Sequence, residues 1–107
     1  MGTFNVWGLT MVEWRKNTLP MATYGDLQDF VLKLISASGP DPDMALFCKR
    51  EIGAENADFF LAAPVEQADI VERVYPGWET IQNPAGPGFE IVLGDNSAWE
   101  RFGFERP

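Results

Sequence analysis

The side chain best suited to nucleophilic chemistry is Cys48, the single cysteine of a chain that contains no histidine. Arg50 lies two residues further along a predicted strand, so it would share a face with the thiol and could favour the thiolate. A cysteine in an apolar strand more often packs as a small hydrophobic side chain, however. The lack of histidine excludes Ser-His-Asp and Cys-His sites, histidine-ligated zinc and haem with a proximal histidine. The sequence therefore favours an inert Cys48 and identifies no catalytic residue, which leans against an enzyme but leaves that question open.

Paired acidic residues are the other groups that could do chemistry. Asp41 and Asp43 form an Asp-Pro-Asp sequence, which lacks the further oxygen ligands and the glycine of a calcium loop. Glu51 and Glu55 flank a predicted turn, where solvation alone accounts for them. The sequence therefore predicts no metal site and no cofactor.

Negative charge is concentrated in one region of the chain. Residues 51–79 hold seven acidic residues and one basic residue, a local charge of −6. Glu66, Asp69 and Glu72 recur every three residues on a predicted helix that is followed by Trp78. An acidic stripe beside an aromatic anchor suits a basic protein partner. The alternatives are a solvated helix face that maintains solubility and a Trp78 that is a buried lid.

The overall charge limits the partners. Eight Lys and Arg residues against sixteen Asp and Glu residues give a net charge of −8, which would repel nucleic acid and anionic membranes. The longest apolar runs, such as residues 59–65, are far shorter than a membrane span. The N-terminus lacks the pattern of a signal peptide, and one cysteine cannot form an internal disulfide. We expect a cytoplasmic protein without a membrane or nucleic-acid partner.

The first predicted element is a long strand at residues 3–14, followed by a loop at residues 15–22. Apolar side chains occupy both parities of this strand, so both of its faces should be covered. The second cover is either another copy of the chain or a late segment of the same chain. In the first case the dimer face would contain Trp7, Leu9 and Met11.

Two helices and further strands follow. An apolar stripe predicts the first helix, with Thr23 as N-cap and a stop at residues 38–40; its members are Leu27, Phe30, Val31, Leu34 and Ile35. Residues 44–50 and 58–63 predict an antiparallel hairpin. Pro64 suits the first position of a second helix that ends before Pro76, with Asp69 and Arg73 as an exposed i, i+4 pair. Further strands are predicted at residues 78–82 and 89–93, and residues 98–104 form a last strand or a helical turn.

This order, β-α-β-β-α-β with extra C-terminal strands, predicts one α+β domain over residues 1–107. It corresponds to a ferredoxin-like (split βαβ) arrangement, an antiparallel sheet with two helices on one face. A fold alone assigns no function. The sequence favours a small interaction or regulatory module, such as an inhibitor or immunity-type protein, that binds a basic protein through its acidic helix. The alternative is a homodimer that binds or transforms a small apolar molecule.

Overall fold

A computed structural model of the chain describes residues 12–37, 44–51, 53–84 and 88–93. Five strands in these residues pair antiparallel throughout, in the order β4-β1-β3-β2-β5. The elements are β1 (Glu13–Pro20), α1 (Tyr24–Ala37), β2 (Ala45–Lys49), β3 (Asn56–Ala63), α2 (Val65–Val74), β4 (Glu79–Ile81) and β5 (Glu90–Leu93). The α+β class is therefore confirmed. Neither α1 nor α2 is long and apolar enough to cross a membrane.

Strand β1 corrects the prediction of a loop at residues 15–22. It runs from Glu13 to Pro20 and lies between β3 and β4, and residues 3–11 of the predicted strand fall outside the described ranges. Asn17 is tolerated in this central strand because its side-chain amide donates to the Pro76 carbonyl oxygen at 3.1 Å. Pro20, which lacks an amide hydrogen, lies at the end of the strand, where the loss disturbs the sheet least. The sequence of β1 resembles a loop because Asn17 is polar and its hydrogen-bond partner lies far along the chain.

Helix α1 confirms the predicted apolar stripe. Leu27 and Val31 are fully buried, while Phe30, Leu34 and Ile35 are half-buried against the same core. The N-cap assignment was wrong, because Thr23 lies in a 3-10 turn over Met21–Thr23 and its hydroxyl donates to the Pro20 carbonyl at 2.7 Å. The predicted stop at residues 38–40 lies outside the described part of the chain.

The hairpin and the second helix also follow the prediction. Strand β2 pairs antiparallel with β3, and α2 begins directly after Pro64. Pro64 occupies the N-cap position rather than the first helical position, since its ψ of 151° is extended. Of the further strands, β4 and β5 are present, and residues 98–104 lie beyond the residues that the structure describes.

Alternate side chains of the strands form two separate cores. The first core joins both helices to the sheet; its fully buried members include Leu27, Val31, Leu46, Cys48, Phe59, Leu61 and Val71. The second core consists of Trp14, Ala45, Phe47, Phe60, Ala62 and Phe89. Its rings are at most 6% exposed in a single chain, so a second copy is not needed to bury them. The homodimer stays a prediction, because Trp7, Leu9 and Met11 are not among the described residues.

Candidate functional site

A buried arginine joins the acidic helix to the sheet. Arg15 lies in the middle of β1 and is 7% exposed. Its Nη2 donates to Asp69 Oδ1 at 2.9 Å, and its Nη1 donates to Glu72 Oε1 at 3.0 Å. Its Nε donates to Glu13 Oε1 at 2.9 Å. Each guanidinium nitrogen therefore binds a different carboxylate.

The secondary structure explains why these carboxylates meet. Asp69 and Glu72 are three residues apart on α2, so they project from one side of the helix, toward β1. Glu13 lies two residues before Arg15 and therefore on the same face of the strand. Thr80 of β4 is the partner of Arg15 in the sheet register, and its hydroxyl donates to Glu13 Oε1 at 3.1 Å. The Arg15 cluster, defined as Arg15, Glu13, Asp69 and Glu72, thus ties α2 to the sheet.

The Arg15 cluster is negative overall. Burial alone would lower the pKa of Arg15, but hydrogen bonds to Glu13 and Asp69 outweigh it and raise that pKa above its ordinary value. Three carboxylates around one guanidinium leave a net charge of −2. The side chains of Asp69 and Glu72 are 53% and 45% exposed, so much of this charge faces solvent. The surface of α2 therefore stays acidic although two of its carboxylates are paired.

The predicted stripe is thus divided into two kinds of carboxylate. Glu66 is exposed in the first turn of α2, whereas Asp69 and Glu72 are held by Arg15. The predicted pair of Asp69 with Arg73 was wrong, because Asp69 is paired with Arg15 instead. Sequence reasoning missed Arg15 because it was placed in a loop. The available signal was the i, i+2 spacing of Glu13 and Arg15 on either side of Trp14.

Trp78 does not present its ring on this surface. It is 7% exposed and belongs to the first core, and its Nε1 has no hydrogen-bond partner among the described residues. Asn17 holds the turn before Trp78 through the hydrogen bond to the Pro76 carbonyl oxygen. Gly77 in that turn has a φ of +106°, a conformation that side-chain-bearing residues rarely adopt. The exposed candidates of the predicted site are therefore the three acids of α2.

Cys48 is buried in the first core. Burial raises the pKa of its thiol, the charge of Glu90 raises it further, and Arg50 opposes both. Arg50 is itself 3.6 Å from Glu90, which reduces its effect on the sulfur. The arrangement favours the neutral thiol.

We expect native Cys48 to react at least about a hundredfold more slowly with a thiol reagent than the chain in urea, because only rare opening exposes it. The rate of DTNB modification in both conditions tests this. Rapid modification of the folded protein would show that the thiol is accessible and activated.

Of the other acidic pairs, Glu51 is exposed in the hairpin and Glu55 is exposed just before β3, while Asp41 and Asp43 lie outside the described ranges. Within those ranges no three acidic or cysteine side chains form a group that could hold a metal ion. The carboxylates that do converge, in the Arg15 cluster, bind a guanidinium.

Comparison of the chain with protein-family models, with curated proteins and with solved structures found no match.

Proposed function

We propose that this chain is a small acidic interaction module whose acidic face, formed by Glu66, Asp69 and Glu72, binds a basic surface of another protein. The observation that carries this proposal is the Arg15 cluster, which has a net charge of −2 and in which the carboxylates of Asp69 and Glu72 are about half exposed. A basic partner would gain electrostatic attraction there, and long-range steering would raise its association rate.

The Arg15 contacts also lower the cost of binding. Free acidic side chains lose rotamer freedom when a partner fixes them. Asp69 and Glu72 have lost much of this freedom already, since each accepts a hydrogen bond from a buried guanidinium. Val65, which is 45% exposed at the start of α2 and lies on the same side of the helix as Asp69 and Glu72, would add apolar contact area. The face therefore combines fixed charge with an apolar border.

We further infer a ferredoxin-like arrangement with both helices on one face. It is supported by the β-α-β-β-α-β order, by the strand order β4-β1-β3-β2, and by the shared first core. A cytoplasmic location is supported by one free, buried cysteine. The second edge strand, β5, is an addition to the six-element unit.

We expect the triple variant E66Q/D69N/E72Q to lose the partner, because it removes the charge of the acidic face. Amide side chains keep nearly the same shape, and their oxygens can still accept hydrogen bonds from Arg15. Reversal to lysine is a poorer test, since ammonium groups at positions 69 and 72 would lie beside the Arg15 guanidinium. The measurement is affinity capture from cell extract with wild type and variant as baits.

The matched control is D26N/D29N/E55Q, which removes the same number of charges from exposed positions elsewhere. A protein retained by wild type and control, but lost with the α2 variant, supports the proposal. Equal retention by all three baits, or no protein that distinguishes them, would refute it.

A further inference from the structure

A second concave region lies at the hairpin end of the sheet and shares no residue with the acidic face. It encloses about 480 Å³, within the range of roughly 300 to 1,000 Å³ usual for small-molecule sites. We call this region the hairpin cleft. Its walls include Thr18, Lys49, Arg50, Glu51, Asp58 and Gly88. Thr18, Asp58 and Lys49 are register partners across β1, β3 and β2, so they form a polar row on one face.

Lys49 supplies a positive charge without a carboxylate partner. Its ammonium lies 5.1 Å from the centroid of the Phe89 ring, and none of the ion pairs among the described residues includes it. Gly88, whose φ of +90° is one that side-chain-bearing residues rarely adopt, lies beside the lysine stem. The aromatic ring and the glycine thus hold a cation in the cleft without neutralising it.

The cleft also contains negative charge. Asp58 Oδ1 accepts a hydrogen bond from the Thr18 hydroxyl at 2.6 Å, which fixes the carboxylate but leaves its charge in place. Glu51 is exposed in the wall, and Arg50, 3.6 Å from Glu90, is about half exposed. Asp58 and Glu51 would repel a ligand that carries only negative charge, and Lys49 and Arg50 would repel a ligand that carries only positive charge.

We infer that the hairpin cleft binds a small zwitterion of the α-amino-acid type. The ligand carboxylate would lie against Lys49, and its ammonium group would lie against Asp58, the register partner of Lys49 on the same face. Because both ligand charges meet opposite charges in the same cleft, a zwitterion gains attraction at both ends. Ala54, which is exposed, provides apolar wall area for the ligand side chain.

The test uses L-leucine as the probe, with two matched probes that each lack one charge. L-Leucinamide lacks the carboxylate, and N-acetyl-L-leucine lacks the ammonium group. In a titration of ¹⁵N-labelled protein followed by NMR, L-leucine should cause saturable shifts at residues 49–51 and 56–58. Each matched probe should bind at least about tenfold more weakly, a difference of about 1.4 kcal/mol.

Two variants test the residues. K49M and D58N should each weaken L-leucine binding at least about tenfold, and the spectrum of each variant shows whether it is folded. K33M and D29N, which change exposed charges on α1, are the controls and should bind as wild type. No saturable shifts with L-leucine, equal binding of either matched probe, or unchanged binding by folded K49M and D58N would each overturn the inference.

Discussion

Replacement of Phe47 by alanine is expected to lower the free energy of unfolding by about 3 to 5 kcal/mol. Phe47 lies in the middle of β2 with no exposed surface, and it is the register partner of Phe60 in β3. Its ring centroid is 5.9 Å from that of Trp14. Removal of the ring leaves a cavity that these large neighbours cannot fill without moving the strands. Urea unfolding followed by circular dichroism measures the loss.

Leu32→Ala is the matched control, because Leu32 is 47% exposed on α1 and should cost less than about 1 kcal/mol. A loss for Phe47→Ala as small as that of the control would contradict the second core. The same melts also test the homodimer prediction. A midpoint that rises with protein concentration would show that a second copy contributes, and a midpoint that is independent of concentration would count against the homodimer.

Replacement of Arg15 by methionine is expected to cost about 2 kcal/mol at neutral pH. Removal of one partner from a buried ion pair costs roughly 3 to 5 kcal/mol, and the half-exposed Asp69 and Glu72 reduce this through solvent screening. The variant leaves Glu13, Asp69 and Glu72 facing one another without a cation. Methionine occupies most of the space of the aliphatic part of the arginine side chain. The loss of unfolding free energy therefore comes mainly from the charged contacts.

The effect of Arg15→Met should decrease as the salt concentration rises. Carboxylates attract Arg15 in the wild type and repel one another in the variant, and dissolved ions screen both effects where the cluster faces solvent. The stability difference is therefore larger in about 0.1 M salt than in about 1 M salt. The loss for Arg15→Lys should fall between zero and the loss for Arg15→Met, since lysine keeps the charge but cannot reach three carboxylates with a planar fork. A difference that is the same at both salt concentrations would contradict the electrostatic origin.

Much of the fold could be predicted because its signals are local. The stripe that contains Leu27 and Val31 indicated α1, and two short apolar runs around a turn indicated the β2–β3 hairpin. Strand β1 was misplaced because Asn17 and Pro20 resemble a loop when their partners are unknown. The partner of Asn17 is the carbonyl of Pro76, 59 residues further along the chain.

The candidate site was predicted only in part for the same reason. The spacing of Glu66, Asp69 and Glu72 showed that they share a helix face, but not that a cation lies beneath two of them. Arg15 is separated from Asp69 by 54 residues and from Glu72 by 57 residues. Such contacts depend on how α2 packs against β1, which no local pattern encodes. The burial of Trp78 was likewise set by tertiary packing.

The central claim is that the acidic face of α2 binds a basic partner, and its most direct measurement is the salt dependence of that affinity. The Debye length falls from about 10 Å in 0.1 M salt to about 3 Å in 1 M salt. The partner protein that the wild type captures from cell extract should bind the wild type at least about tenfold more weakly at the higher salt concentration. It should bind E66Q/D69N/E72Q weakly at both salt concentrations. An affinity that is unchanged by salt and by the three substitutions would contradict the claim.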